Sequence, residues 1–166
     1  MTLQILVFIL FSLITLGSGV AVVTNQNLLH SAYFLISSFV GVAGLYVMLE
    51  AGFLAVVQIL VYVGAIAVLI VFAIMLTRQL GDKGLRQRNA QWGWALAGSA
   101  ALLVVLGVIL YQADWRLNPG SVPENSVQLI GENLLGTYLV PFEVASVVLL
   151  IALIGAIIIA REKETS

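Results

Sequence analysis

The stretch from Glu50 to Met75, EAGFLAVVQILVYVGAIAVLIVFAIM, decides the fold. It carries no charge after Glu50. At about 1.5 Å per residue an α-helix of this length crosses a hydrocarbon layer of about 30 Å with length to spare. Within it Gln58 and Tyr62 are one helical turn apart, with Gly64 beside them. The segment is a membrane span that contains two polar side chains and a weak point.

The rest of the chain follows the same pattern. Of its 166 residues 61% are hydrophobic and 9% charged, more apolar surface than a soluble core of this length can hide, so the bilayer is its solvent. No residue from Met1 to Leu49 is charged, and further uncharged runs cover Ala51–Thr77, Asn89–Ala113 and Val144–Ala160. The first run exceeds one span and is interrupted by Thr24, Asn25, Gln26 and Asn27, where it divides. The expectation is an all-α integral membrane protein, one membrane domain over residues 1–166. Its five transmembrane helices fall at about 3–23, 29–49, 52–77, 92–112 and 139–160, with an outside loop over about 113–138. Unbroken apolar runs exclude a β-barrel, whose strands alternate lipid-facing and lumen-facing residues. The N-terminus has neither a basic region nor a small-residue cleavage pattern and reads as a retained first helix.

Charge sets the expected orientation. Arg78, Lys83, Arg86 and Arg88 separate the third and fourth spans, Arg161 and Lys163 lie in the tail, and Arg116 stands alone on the opposite face. The excess of basic residues places that loop and the C-terminus in the cytoplasm and the N-terminus outside. Trp92 and Trp94 open the fourth span while Tyr111 and Trp115 close it, as interfacial anchors do. Without cysteine the chain holds no iron–sulfur cluster or thiolate metal site by itself.

From Asp114 to Thr137 runs the only extended polar region, with turn chemistry at Asn118, Pro119, Gly120, Ser121 and Pro123 and a short surface helix near Val127 to Leu135. It is too short for an independent domain. No internal repeat of the transporter kind is visible. Small residues mark close helix contacts: Gly17 and Gly19, Gly41 and Gly44, and Gly93 with Ala97 and Ala101.

Four polar positions are candidates for chemistry. Gln58 and Tyr62 share a helix face near membrane depth, where an unsatisfied polar group is costly, and Tyr62 falls close to the midplane. Gly64 weakens the helix and permits close backbone approach, and the excess length calls for tilt or a bulge. The pair serves either as polar glue between helices or as a hydrated relay or gate. Glu50, at the turn before the third span, is either a solvated residue favoured by the next helix dipole or part of a proton path. In PFE, Pro141 fits a first helical position and Glu143 a first turn; if the helix begins earlier, Glu143 becomes an intramembrane carboxylate. His30, the only histidine, builds no metal site alone and reads as interfacial packing. The loop from Arg78 to Arg88 reads as a topology signal and lipid-headgroup contact, not a nucleic-acid site. No phosphate loop, dinucleotide fingerprint or nucleophile–base pair is present, so nothing is catalytic in isolation.

Two stretches carry a resemblance: QILVYVGAIAVLIVFAIML, Gln58 to Leu76, and YLVPFEVASVVLLIALIGAI, Tyr138 to Ile157. With weaker similarity around Asn27 to Ser37, they resemble subunit J of respiratory complex I, the ND-six type of mitochondria, and its equivalent in the NAD(P)H-quinone oxidoreductase of cyanobacteria and chloroplasts. The resemblance implies a membrane-arm subunit of a proton-pumping NADH, NADPH or ferredoxin:quinone oxidoreductase, a translocase that couples electron transport to proton transport. Quinone, NAD(P)H or ferredoxin, flavin and iron–sulfur clusters would belong to other subunits, with no cofactor on this chain. Partners would be the small antiporter-fragment-like subunit, the quinone-site subunit, the antiporter-like pumps and lipid, in a bacterial plasma membrane or thylakoid membrane. The family's third helix interconverts between an α form and one with a π-bulge, which maps onto Tyr62, Val63, Gly64 and Ala65. Some relatives have glutamate where this chain has Gln58; a glutamine orders water but holds no transferable charge. Hydration or proton-path groups would then be Glu50, Gln58 and Glu143, with further ionisable residues supplied by neighbours. The equivalent subunit of a cation/proton antiporter or membrane-bound hydrogenase, and a purely structural scaffold, are the alternatives.

Overall fold

A computed structural model describes residues 2–77, 91–114, 123 and 125–161. The basic loop Arg78–Arg88, the turn residues Asn118–Ser121, Trp115, Arg116 and Lys163 lie outside the described residues. The described residues form six helices: α1 (Thr2–Thr24), α2 (Leu28–Met48), α3 (Gly52–Leu76), α4 (Trp92–Gln112), α5 (Ser126–Leu135) and α6 (Leu139–Ala160). All but α5 are long and apolar enough to cross a membrane, and no strand occurs among the described residues. By contacts the chain divides into two compact units, residues 1–119 and 120–166.

The polar cluster between α1 and α2 ends one helix and starts the next. Asn27 is the N-cap of α2: its side-chain oxygen accepts from the backbone N–H of Leu29 (3.0 Å) and of His30 (3.4 Å). Its own N–H donates to Asn25 Oδ1 at 2.9 Å, so the local turn is closed by side chains rather than by a continued helix.

α2 is the shared partner of α1 and α3. Against α1 it packs at backbone distance. A Cβ added at Gly41 would collide with Thr15 Oγ1 and stand 3.1 Å from the Thr15 nitrogen, and one at Gly44 would collide with the Phe11 ring. Hydroxyls line the same seam. Ser18 Oγ donates to Ser37 Oγ at 3.0 Å, and Ser38 Oγ to the Thr15 carbonyl at 3.2 Å. Lipid tails are as apolar as leucine, so close packing and interhelical hydrogen bonds hold these helices together rather than a hydrophobic drive. Among the described residues Gly17, Gly19 and Gly93 meet no neighbour, while Gly41 and Gly44 of the expected small-residue contacts lie between helices.

The buried residues of α2 and α3 are mostly small, Ser31, Ala32, Gly41 and Ala43 on α2 and Ala55 and Ala67 on α3, with Gln58 the one large polar side chain buried on these two helices. The corner joining the two helices is closed by paired hydrogen bonds, Ala51 N–H to the Tyr46 carbonyl (3.0 Å) and Glu50 N–H to the Val47 carbonyl (3.1 Å). That is the Schellman pattern, which needs a left-handed residue and usually takes glycine. Here Glu50 fills it at φ 57. α4, by contrast, leaves every one of its residues exposed.

In the second unit, α5 turns into α6 through Gly136, Thr137 and Tyr138. The Tyr138 N–H donates to the Asn133 carbonyl at 2.8 Å and the Leu139 N–H to the Gly136 carbonyl at 3.2 Å. A Cβ at Gly136 would lie 2.9 Å from the Glu132 carbonyl, so the corner requires glycine.

Candidate functional site in the third span

α3 is not one uniform helix. Gly52–Val57 and Val68–Leu76 are α-helical, and the ten residues Gln58–Ala67 between them are π-helical, with hydrogen bonds reaching five residues back. The backbone angles at both junctions, −59°/−45° at Gln58 and −62°/−43° at Val68, are those of an ordinary α-helix. The π stretch is therefore set into a continuous rod. A π stretch is a rare conformation, found mostly as single-turn bulges and often at functional sites. Tyr62, Val63, Gly64 and Ala65 all lie inside it.

Gly64 is the glycine of this stretch. A Cβ there would stand 3.3 Å from the carbonyl oxygen of Ile59, five residues back, the acceptor that the π pattern assigns to the Gly64 N–H. Glycine fits without displacing that oxygen; any other residue must push it.

Gln58 begins the π stretch and faces inward at 7% exposure. Among the described residues its side-chain amide has no hydrogen-bond partner, and no buried polar atom is both sealed and unsatisfied. The amide therefore keeps a little accessible surface, through which water or a neighbouring chain meets its need. Tyr62, one turn on, is 43% exposed and turns the edge of its ring to Phe39 of α2, with centroids 5.5 Å apart and planes at 74°. Edge-to-face pairs of this kind contribute about 0.5–1.5 kcal/mol. Gln58 is thus gathered into the α2–α3 interface while Tyr62 rests against its edge.

Glu50 caps the corner at the start of the same helix and is exposed. A left-handed non-glycine residue costs about 1–2 kcal/mol. Glu50→Gly should relieve that cost and raise the thermal midpoint of the detergent-purified chain by roughly 2–4 °C, measured by scanning unfolding; no rise would mean the corner is unstrained.

Glu143 belongs to the second unit. α6 starts at Leu139, two residues before Pro141, so Pro141 occupies the third helical position and Glu143 the second turn. The first four N–H groups of a helix lack partners anyway, so a proline there removes no hydrogen bond. The helix can begin early, and Glu143 does not serve as a first-turn cap. Its backbone carbonyl accepts from Ser146 Oγ (2.7 Å), and its carboxylate makes no bond among the described residues. His30 contributes its backbone N–H to the Asn27 cap.

Two features of this region lay beyond the sequence reading. Phe39 carries no polar or glycine signal, and only its place opposite Tyr62 reveals it. The Thr15, Ser18, Ser37 and Ser38 seam did have a signal, hydroxyls recurring inside apolar spans, but which of them face one another depends on the helix pairing.

The sequence profile of the family described as NADH-ubiquinone/plastoquinone oxidoreductase chain 6 matches residues 18–159. The chain is 39% identical over 163 residues to the NAD(P)H-quinone oxidoreductase chain 6 of Synechocystis sp., covering 95% of this chain and 81% of the relative. It is 42% identical over 164 residues to the organellar-chromatophore NAD(P)H-quinone oxidoreductase subunit 6 of Paulinella chromatophora, covering 96% and 78%. It is also 38% identical over 164 residues to the F(420)H(2) dehydrogenase subunit J of Methanosarcina mazei, covering 96% and 92%.

Proposed function

The chain belongs to the family of NADH-ubiquinone/plastoquinone oxidoreductase chain 6, and from that premise we propose that its π-helical third span is the element through which quinone reduction drives proton translocation. The chain is a membrane-arm subunit of a complex I-type quinone oxidoreductase, and its partners are the other subunits of that assembly. A plasma or thylakoid membrane is its setting. The finer partners are proposed from the family resemblance, which puts this chain between the quinone-site subunit, the small antiporter-like fragment and the antiporter-like pumps, with flavin and the electron donor on other subunits. The absence of cysteine agrees with iron–sulfur clusters lying elsewhere. Its N-terminus faces outside and its C-terminus the cytoplasm.

One observation carries the coupling proposal. A ten-residue π stretch begins at a buried Gln58 with no hydrogen-bond partner among the described residues, and a Cβ at its Gly64 would stand 3.3 Å from the Ile59 carbonyl oxygen. Returning an i→i−5 pattern to i→i−4 shifts the following residues by one position, a rotation of about 100° at 3.6 residues per turn. Val68–Leu76 would rotate relative to Gly52–Val57, and Ala67, 1% exposed now, would leave the α2 interface. Such a change alters what faces the Gln58 amide and so makes or breaks a file of water there. For the redox cycle to drive it, each state must be stabilised differently by what neighbouring subunits do. Gln58, Glu50 and Glu143 act as hydration or relay groups, the carboxylates as proton carriers and the amide as a water anchor.

Gln58→Leu removes the water anchor without adding a charge. The expected result, in the purified complex reconstituted into vesicles, is proton uptake reduced severalfold per electron while quinone reduction and assembly persist; Gln58→Glu should preserve pumping. Equal pumping by Gln58→Leu and wild type would reduce Gln58 to polar glue. The purification itself tests the wider reading: antiporter-like and iron–sulfur subunits with donor-dependent quinone reduction should accompany the tagged chain. Antiporter subunits without redox partners would instead favour the antiporter alternative.

A further inference from the structure

We propose that α5, Ser126–Leu135, lies in the headgroup–acyl boundary of the bilayer, its apolar face on lipid, and that it fixes the depth at which α6 enters. The inference rests on sequence pattern, chain reach and one corner. Val127, Ile130 and Leu134 recur at three- and four-residue spacing and share one side of the helix; Gln128 and Glu132 share the other, flanked by Leu129 and Leu135 and joined by a hydrogen bond from Gln128 Nε2 to Glu132 Oε1 of 2.8 Å. A short helix divided this way, and not apolar enough to cross, is the kind that lies in the interface plane.

Position follows from what α5 is attached to. α6 has 22 residues, about 33 Å of helix, and no charged residue after Glu143 until Arg161 at its far end. It must fill a hydrocarbon core of about 30 Å, so Leu139 stands at the membrane boundary. Only three residues separate it from Leu135, and three residues reach at most about 11 Å. The glycine corner shortens that reach further through the Tyr138–Asn133 and Leu139–Gly136 hydrogen bonds. Residues Leu139–Ile154 of α6 are all exposed, so α5 does not lie along the span it precedes. At the boundary, the part of the apolar face that stays exposed, Val127 above all, meets lipid. The polar face has glutamine, asparagine and glutamate and no basic residue, so apolar burial holds the helix there rather than attraction to anionic headgroups. Glu143 then sits four residues, about 6 Å, inward of Leu139. The anchor holds that carboxylate below the headgroups.

The test places a photoreactive p-benzoylphenylalanine, one position at a time, in the full-length chain of the assembled complex in native membranes. Val127, Ile130 and Leu134 report the apolar face, and Gln128 and Glu132 the polar face. Irradiation followed by mass spectrometry should show peptides carrying the mass of an intact lipid from the first three positions and none above background from the other two. Cross-links from Ile130 and Leu134 to another subunit would overturn the proposal by assigning the face to protein. Lipid adducts on both faces, or on neither, would overturn it equally, by placing the helix inside the core or in water. Three apolar positions keep the test decisive if one variant does not assemble.

Discussion

Gly64→Val is expected to lower coupled proton translocation about tenfold in a complex that still assembles, measured as proton uptake per quinone reduced in vesicles. The new Cβ lies 3.3 Å from the Ile59 carbonyl oxygen, closer than side-chain carbons ordinarily sit, and valine adds two γ-carbons that crowd the preceding turn. The carbonyl it displaces is the π acceptor for that residue, so the strain falls on the π form rather than on helices in general. A bias of about 1.4 kcal/mol between two states changes their ratio tenfold. Gly64→Ala adds the Cβ without the branching and should fall between the two. Full assembly with pumping at the normal rate would remove the main support for a switch and leave a scaffold.

A different glycine should fail in a different way. Gly41→Leu is expected to abolish assembly: the chain should be depleted from membranes and the complex missing from native gels. Forcing extra methylenes into a well-packed site typically costs about 1–3 kcal/mol, and here the first new atom meets Thr15 backbone as well as its hydroxyl. A cost of about 3 kcal/mol lowers the ratio of packed to separated helices roughly a hundredfold. Separation would also strand the Ser18–Ser37 and Ser38–Thr15 hydrogen bonds in a medium that offers no replacement. Gly17→Leu, which meets nothing, is the matched control and should assemble normally. Normal abundance of the Gly41 variant would mean the α1–α2 seam opens without penalty.

What the sequence made legible was whatever the bilayer imposes on composition. Charge-free runs of span length locate five helices because each buried charge in lipid is expensive, and Asn27 divides the first run because its side chain can cap the second helix. Gln58, Tyr62 and Gly64 stand out for the same reason: each is unusual inside an apolar helix. The extent of the π stretch was not legible. It depends on a choice of acceptor, four or five residues back, that differs little in local propensity and is decided by packing against α2. Phe39 was hidden because an apolar residue in an apolar span carries no mark of its partner. The start of α6 was ambiguous because Pro141 is acceptable anywhere in a first turn, and only the Gly136 corner resolves it.

The contrast between the α1–α2 seam and the bare flanks of α4 bears on how this chain can change over generations. At Gly41 and Gly44 a substitution meets Thr15 and Phe11, residues of the same gene, so any enlargement must be matched within the one reading frame. The outward faces of α4 meet no such counterpart among the described residues. Their permissible sequences are written by the neighbours they dock against, and variation there should track other genes: the seam drifts with itself, the flanks with the company the chain keeps.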